Sequence, residues 1–221
     1  MYKQTTPFLS TTWNGKARPR RREDEVLATA AGLFHRHGYS ATSVERVAAA
    51  LGIHKGSLYH YIESKEDLLY KIVSDVQDAS LRIVERAAEQ DALDPRGRVA
   101  LYVRQQVLYN CANSAGVAVY CRDLRRLSRR RVDGIRCGQQ AYFRALVQLV
   151  QDVHDGDPAL AARALMGTII WPHASVQLGA DVDPDPLAEF CVGFALRGLT
   201  GARLGADDRI APSVPTAQPR I

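Results

Sequence analysis

Between residues 20 and 200 apolar residues return at intervals of three and four, and no segment keeps the strict polar–apolar alternation of a half-buried strand. That periodicity confines the chain to an all-α fold. With 221 residues and 46% hydrophobic content there is enough apolar surface for a buried core. A first helix is expected from about Arg22 to His37, with Val26, Leu27, Ala30 and Phe34 on one face, stopping at Gly38. A second begins at Thr42, where Thr42-Ser43-Val44-Glu45 has capping-box spacing, and ends near Gly52. A third covers about His54 to Tyr61, and a long fourth starts at Ser64 and reaches about Gln90. Asp94-Pro95, Asp157-Pro158 and Asp183-Pro184 each set a capping carboxylate before a proline suited to a first turn, predicting helices from 95 to 114, 158 to 179 and 184 to 200. A short segment at 116 to 123 and a long helix at 124 to 154 bring the total to about nine.

Residues 43–60 place two short helices about a tight turn at Leu51-Gly52-Ile53, with Val44, Val47, Ala48, Ile53 and Leu58 set to lock them together. This is helix-turn-helix spacing. The second helix exposes Lys55, Ser57, Tyr59 and His60, groups able to reach base edges and phosphates, while Thr42, Ser43 and Lys65 lie at helix starts suited to phosphate. Charge agrees with a polyanion contact: residues 1–65 hold ten Lys and Arg against five Asp and Glu, and the remainder is balanced at nineteen of each. The expected organisation is a disordered basic arm (1–19), a helix-turn-helix domain (20–66), a helical ligand-binding and dimerisation domain (67–200) and a disordered tail (201–221). The basic run Lys16 to Arg22 is either a minor-groove arm or a solvated charge block.

The segment GIHKGSLYHYIESKEDLL from Gly52 to Leu69, with AAGLFHRHGYSATSVERVAAALGI before it, resembles the DNA-binding domain of TetR-type repressors. The first helix, the glycine–aromatic turn and the capping threonine occur in family order. His54 stands where a small hydroxyl residue is usual, and Ile62 where an aromatic is usual. The resemblance implies recognition-helix contacts at Lys55, Gly56, Ser57, Tyr59 and His60, with Thr42, Ser43 and Lys65 on the DNA backbone. It also implies a homodimer on a palindromic operator, and an effector in the C-terminal helices that moves the long fourth helix. Repression relieved by ligand is the commoner arrangement in the family.

Tyr102, Gln106, Tyr109 and Asn113 fall on one helical stripe at spacings of four, three and four, either lining a ligand cavity or forming ordinary core. Tyr142 is a further candidate. Trp171 is another, because Trp171-Pro172-His173 interrupts a helix where proline bends the axis. Six arginines, Arg122, Arg125, Arg126, Arg129, Arg130 and Arg131, crowd into ten residues, either to hold a phosphorylated ligand such as an acyl-coenzyme A or as a solvated face. Tyr120-Cys121-Arg122-Asp123 and Trp171 are similar to elements of TetR-type regulators of lipid and sterol catabolism, so the expected effector is an acyl-coenzyme A or another hydrophobic metabolite. The apolar circumference of the last two helices, including Leu165, Ile169, Phe190 and Phe194, exceeds one core-facing stripe and predicts a partner, which the family resemblance implies is a second copy of the chain.

No enzyme signature of the types GxSxG, HExxH or GxGxxG occurs, and Lys55-Gly56-Ser57 is in the wrong order for a phosphate loop. The alternative class is an architectural DNA binder, which leaves the large neutral C-terminal part without a role. No cofactor or metal is expected: the four cysteines form no CxxC pair and read as reduced, mostly buried thiols. No signal peptide or stretch of eighteen apolar residues occurs, so no membrane partner and a cytoplasmic location are expected.

Overall fold

Capping residues decide where the helices of this chain begin, and they do so close to the places read from the sequence. The computed structural model describes residues 22–171 and 183–201, which hold nine α-helices, one 3₁₀ turn and no strand. In chain order they are α1 (Arg22–His37), α2 (Val44–Ala50), α3 (Lys55–Leu58), α4 (Lys65–Ala88), α5 (Pro95–Ala112), α6 (Ser114–Asp123), the 3₁₀ turn Leu124–Arg126, α7 (Arg129–Gln151), α8 (Pro158–Ile170) and α9 (Pro184–Thr200). Asp94, Asp157 and Asp183 accept the amides of Gly97, Ala159 and Asp185 at 2.7, 2.8 and 3.1 Å, each ahead of a first-turn proline. Ser64 caps α4 by accepting the amide of Asp67 at 3.0 Å.

Three boundaries differ from expectation; α3, expected to run to about Tyr61, ends at Leu58, with Tyr59 as its C-cap. The cap of α2 is Ser43, which accepts the amide of Arg46, and not Thr42. Thr42 is fully buried; its amide bonds the Tyr39 carbonyl, and its hydroxyl lies 2.9 Å from the Gly38 carbonyl and 3.3 Å from that of Leu33. The left-handed Gly38 (φ 82°) turns the chain back on α1 and brings Thr42 inward, so its hydroxyl is spent on the turn. The long helix expected from 124 begins instead at Arg129, because Leu127 adopts an extended conformation and enters the core at 6% exposure. The arm, the tail from 202 onward, Pro172, His173 and the helical stretch expected to 179 lie outside the described residues.

Two apolar cores result. The first gathers Val26, Ala30 and Phe34 of α1, Val47 of α2, Leu58 of α3 and Leu68, Leu69 and Ile72 of α4, and it is completed from the C-terminal part by Val119, Leu127 and Ile135. The second is built from Val84 and Ala87 of α4, Tyr102, Val103 and Val107 of α5, Leu146 and Val150 of α7, Leu165 of α8 and Ala188 and Leu199 of α9. Only α4 and α7 enter both. They run parallel, since Arg131 faces Asp67 near their starts and Gly138 faces Gln77 farther along. At 24 residues, α4 spans about 36 Å.

Cys111 and Cys191 are buried, Cys121 and Cys137 exposed, and all four are free. No described helix is long and apolar enough to cross a membrane. Replacing the Thr42 hydroxyl by a methyl removes its buried hydrogen bonds to the Gly38 and Leu33 carbonyls. Thr42→Val is therefore expected to lower unfolding stability by about 1–2 kcal/mol in urea denaturation, with the helical circular-dichroism signal retained.

Candidate nucleic-acid interface and sensing seam

The turn between α2 and α3 depends on Gly52 at φ 67°, a conformation that a side chain strains. It lets Leu58 reach the first core with no exposure, and Ile62 follows at 3%, so an aliphatic residue fills the position where an aromatic is usual. The opposite face of α3 and its C-terminal turn then point outward: Lys55, Gly56, Tyr59 and His60 are exposed and Ser57 is half-buried. Tyr59 keeps 46% exposure. Its ring lies 5.9 Å from the Lys55 ammonium, which is held at 2.5 Å by Glu45 of α2. That ammonium, bonding the exposed Glu45 carboxylate, draws it down to about 2. A Cβ on Gly56 would meet nothing within 4 Å, so no internal packing demands glycine there, and its bare backbone can approach another surface closely. His54 occupies the N-cap of α3 and makes no side-chain cap bond.

Ser43 is exposed at the start of α2. Lys65 braces the turn after α1, with its ammonium 3.2 Å from the Ser40 carbonyl and 4.4 Å from the centroid of the Tyr39 ring. Thr42, expected on the DNA backbone, is removed from this surface by its burial.

The arginine cluster divides in two. Arg122 and Arg126 donate to the buried carboxylate of Asp123 at 2.7 and 3.0 Å, and each also reaches the N-terminal helices: Arg122 to the Phe34 carbonyl at 2.7 Å, Arg126 to the Ser40 hydroxyl at 2.9 Å. Arg131 pairs with Asp67 at 3.3 Å and lies over the Tyr70 ring, while the Ser128 amide donates to Glu66 at 2.9 Å. Three of the six arginines thus bind the two parts of the chain together. Sequence reasoning missed this junction, although an aspartate inside a run of arginines was its visible signal.

In the C-terminal part the structure brings Tyr102 and Tyr142 together, hydroxyl to hydroxyl at 2.5 Å. Burial pushes both phenols up, Tyr142 to about 12. Gln106 donates to Asn110 at 2.9 Å and Ser80 at 3.2 Å, and Gln77 accepts from Tyr120, which in turn accepts from Gln139. Along this polar seam between α4 and α5, Gln77 Nε2, Gln106 Oε1 and the Tyr109 hydroxyl are buried with no hydrogen-bond partner. Asn113 instead donates to the Tyr109 carbonyl and closes the end of α5. Trp171 does not join the seam; it is 68% exposed beyond α8. A separate surface groove of about 480 Å³ between α4, α5 and α7, rimmed by Glu85, Arg98, Arg144 and Asp152, contains none of the expected ligand residues.

The Asp75 carboxyl is pushed up to about 7, first by burial and then by Asp78, with Asp24 and Glu23 adding to the rise and Arg82 opposing it. The folded chain therefore binds a proton there that the unfolded chain releases near pH 4, and stability falls as pH rises between about 4 and 7. Asp75→Asn removes this penalty. Its melting temperature is expected to exceed that of the wild type by several degrees at pH 8, with the gap closing at pH 5, in thermal unfolding followed by circular dichroism.

Residues 26–72 match the family model of bacterial regulatory proteins, tetR family. The HTH-type transcriptional repressor KstR2 of Rhodococcus jostii is 30% identical over 186 residues, spanning 80% of this chain and 91% of that protein. The TetR family transcriptional regulator PfmR from Thermus thermophilus superposes with a TM-score of 0.71 at 27% identity, covering 79% of this chain and 98% of its own. AibR, solved in complex with isovaleryl coenzyme A and operator DNA, gives a TM-score of 0.67 at 25% identity over 79% of this chain and 97% of its own.

Proposed function

Because this chain belongs to the TetR family of bacterial transcriptional repressors, we propose that it binds a palindromic operator as a homodimer and leaves it when a small molecule occupies the seam between α4 and α5. The observation that carries the DNA reading is the outer face of α3, where Lys55, Gly56, Tyr59 and His60 are exposed while Leu58 anchors the helix from behind. A helix presented in this way fits the major groove, and its short polar and planar groups reach base edges. In this reading the exposed Ser43 and the Lys65 ammonium serve the flanking phosphates.

Two exposed apolar stripes support the dimer. On α8, Leu160 and Trp171 lie on one side with Gly167 between them, whose absent side chain leaves open space, and on α9 Phe190 and Phe194 stand 66% and 55% exposed. Packing these helices against their copies across a two-fold axis covers both stripes and sets two α3 helices for half-sites about one DNA turn apart.

The effector reading rests on Gln77, Gln106 and Tyr109, whose unmet donors and acceptor suit the carbonyl, amide or hydroxyl of a largely apolar metabolite. An acyl-coenzyme A fits through its neutral acyl and pantetheine portions. Its phosphates gain nothing from Arg122, Arg126 and Arg131, which are committed to the domain junction.

The DNA reading is tested by competition binding to DNA from immediately around the chain's own coding region. The wild type is expected to prefer one fragment over scrambled competitor, and Tyr59→Ala to weaken that binding at least tenfold; equal weak binding to every duplex contradicts it. For the effector, calorimetry with isovaleryl coenzyme A and longer acyl-coenzyme A esters is expected to give saturable heat that Gln106→Leu reduces. No heat with any ester removes the thioester version.

A further inference from the structure

Three arginines at the α6–α7 junction take no part in the ion pairs formed among the described residues. Arg125, Arg129 and Arg130 are exposed, and among the described residues their guanidinium groups meet no carboxylate. Arg129 and Arg130 open α7, which has no acidic residue in its first turn, whereas α1 opens with Glu23, Asp24 and Glu25 and α4 with Glu66 and Asp67. Cations at the start of a helix oppose its dipole, so this arrangement is unfavourable until an outside anion neutralises it.

The position of these residues says which anion they meet. The Ser128 amide bonds Glu66 and Arg131 reaches Asp67, so α7 begins level with the first turn of α4. Arg126, next in sequence to Arg125, bonds the Ser40 hydroxyl, and the Ser40 carbonyl is held by Lys65. The exposed arginines therefore lie at the same end of the molecule as Lys65 and Ser43. Their neighbours Arg122, Arg126 and Arg131 fix that position by bonding to Phe34, Ser40 and Asp67.

We propose that Arg125, Arg129 and Arg130 form a basic shoulder on the C-terminal domain that binds the phosphate backbone of double-stranded DNA outside the segment read by α3. The proposal rests on the operator-binding reading above and extends the DNA surface beyond the helix-turn-helix. Guanidinium groups pair with phosphate oxygens through two parallel hydrogen bonds, and such pairs add affinity without sequence preference. Because the shoulder is carried by the 3₁₀ turn and the start of α7, any effector that displaces this junction withdraws the arginines from phosphate directly as well as moving α3.

The test uses a duplex that the wild-type full-length chain recovers from a randomised pool, with affinity measured by fluorescence anisotropy across a range of salt concentrations. R125Q/R129Q/R130Q is compared with the charge-matched R86Q/R96Q/R144Q, whose exposed arginines lie on α4, α5 and α7 away from the junction. Removing one arginine–phosphate pair lowers the slope of log K against log salt by about 0.9, so a dimer deprived of one such pair in each protomer shows a drop of about 2. The shoulder variant is expected to show at least this drop and a tenfold or greater loss of affinity. It should retain wild-type circular dichroism and the same preference for the selected duplex over a scrambled one, with the control unchanged. Equal slopes in wild type and shoulder variant, or an equal loss in the control, overturn the shoulder alone. A wild type that recovers no preferred duplex overturns the operator reading beneath it.

Discussion

The buried carboxylate of Asp123 gathers two of the arginines that join the two parts of this chain. Its side chain is 2% exposed, yet it takes hydrogen bonds from Arg122 and Arg126, which are themselves half in water. An exposed pair of this kind contributes about 0–1 kcal/mol, but an aspartate buried without its partners costs several. The balance makes the junction close to all-or-none: the arginines stay with Asp123 or the carboxylate is stranded. Arg122 also bonds the Phe34 carbonyl at the end of α1 and Arg126 bonds Ser40 in the turn before α2, so Asp123 is linked to the helix-turn-helix through two arginine side chains.

Under the proposed function, the same junction offers a route from a distant ligand to the helix-turn-helix. The parallel helices α4 and α7 enter both cores, and α6 joins the first core through Val119. A molecule that satisfies Gln77, Gln106 and Tyr109 acts on α4 and α5 in the middle of the C-terminal part. Gln77 is already tied to α6 and α7 through Tyr120 and Gln139. Through Tyr120 that chain of hydrogen bonds reaches α6, which also carries Asp123. Coupling of a few kcal/mol suffices to change operator occupancy tenfold or more.

The parts of this account legible in the sequence were those fixed by local chemistry. Aspartate–proline pairs started α5, α8 and α9, Gly38 stopped α1, and apolar spacing placed Leu58 beneath α3 and left Lys55, Tyr59 and His60 outside. What escaped depends on contacts between residues far apart in the chain. Thr42 had the spacing of a cap, but the turn at Gly38 buried it against Leu33, and the cap passed to Ser43. Nothing local in six arginines tells which three face the N-terminal domain; that follows from Asp123 and from the parallel packing of α7 on α4. Trp171 looked like a pocket residue beside a proline, and exposure places it among the apolar groups of the outer face of α8. The seam was visible as a stripe on α5, but its other half, Gln77 and Ser80 of α4, carried no signal of its own.

If Asp123 governs the order of the α1–α2 turn, hydrogen exchange on Asp123→Asn reports it. The account predicts faster exchange of the amides from Gly38 to Thr42 in the variant, with α8 and α9 protected as in the wild type. Unchanged protection of that turn in a folded variant would contradict it, and would mean that the shared first core and the Arg131–Asp67 pair hold the two parts together without Asp123.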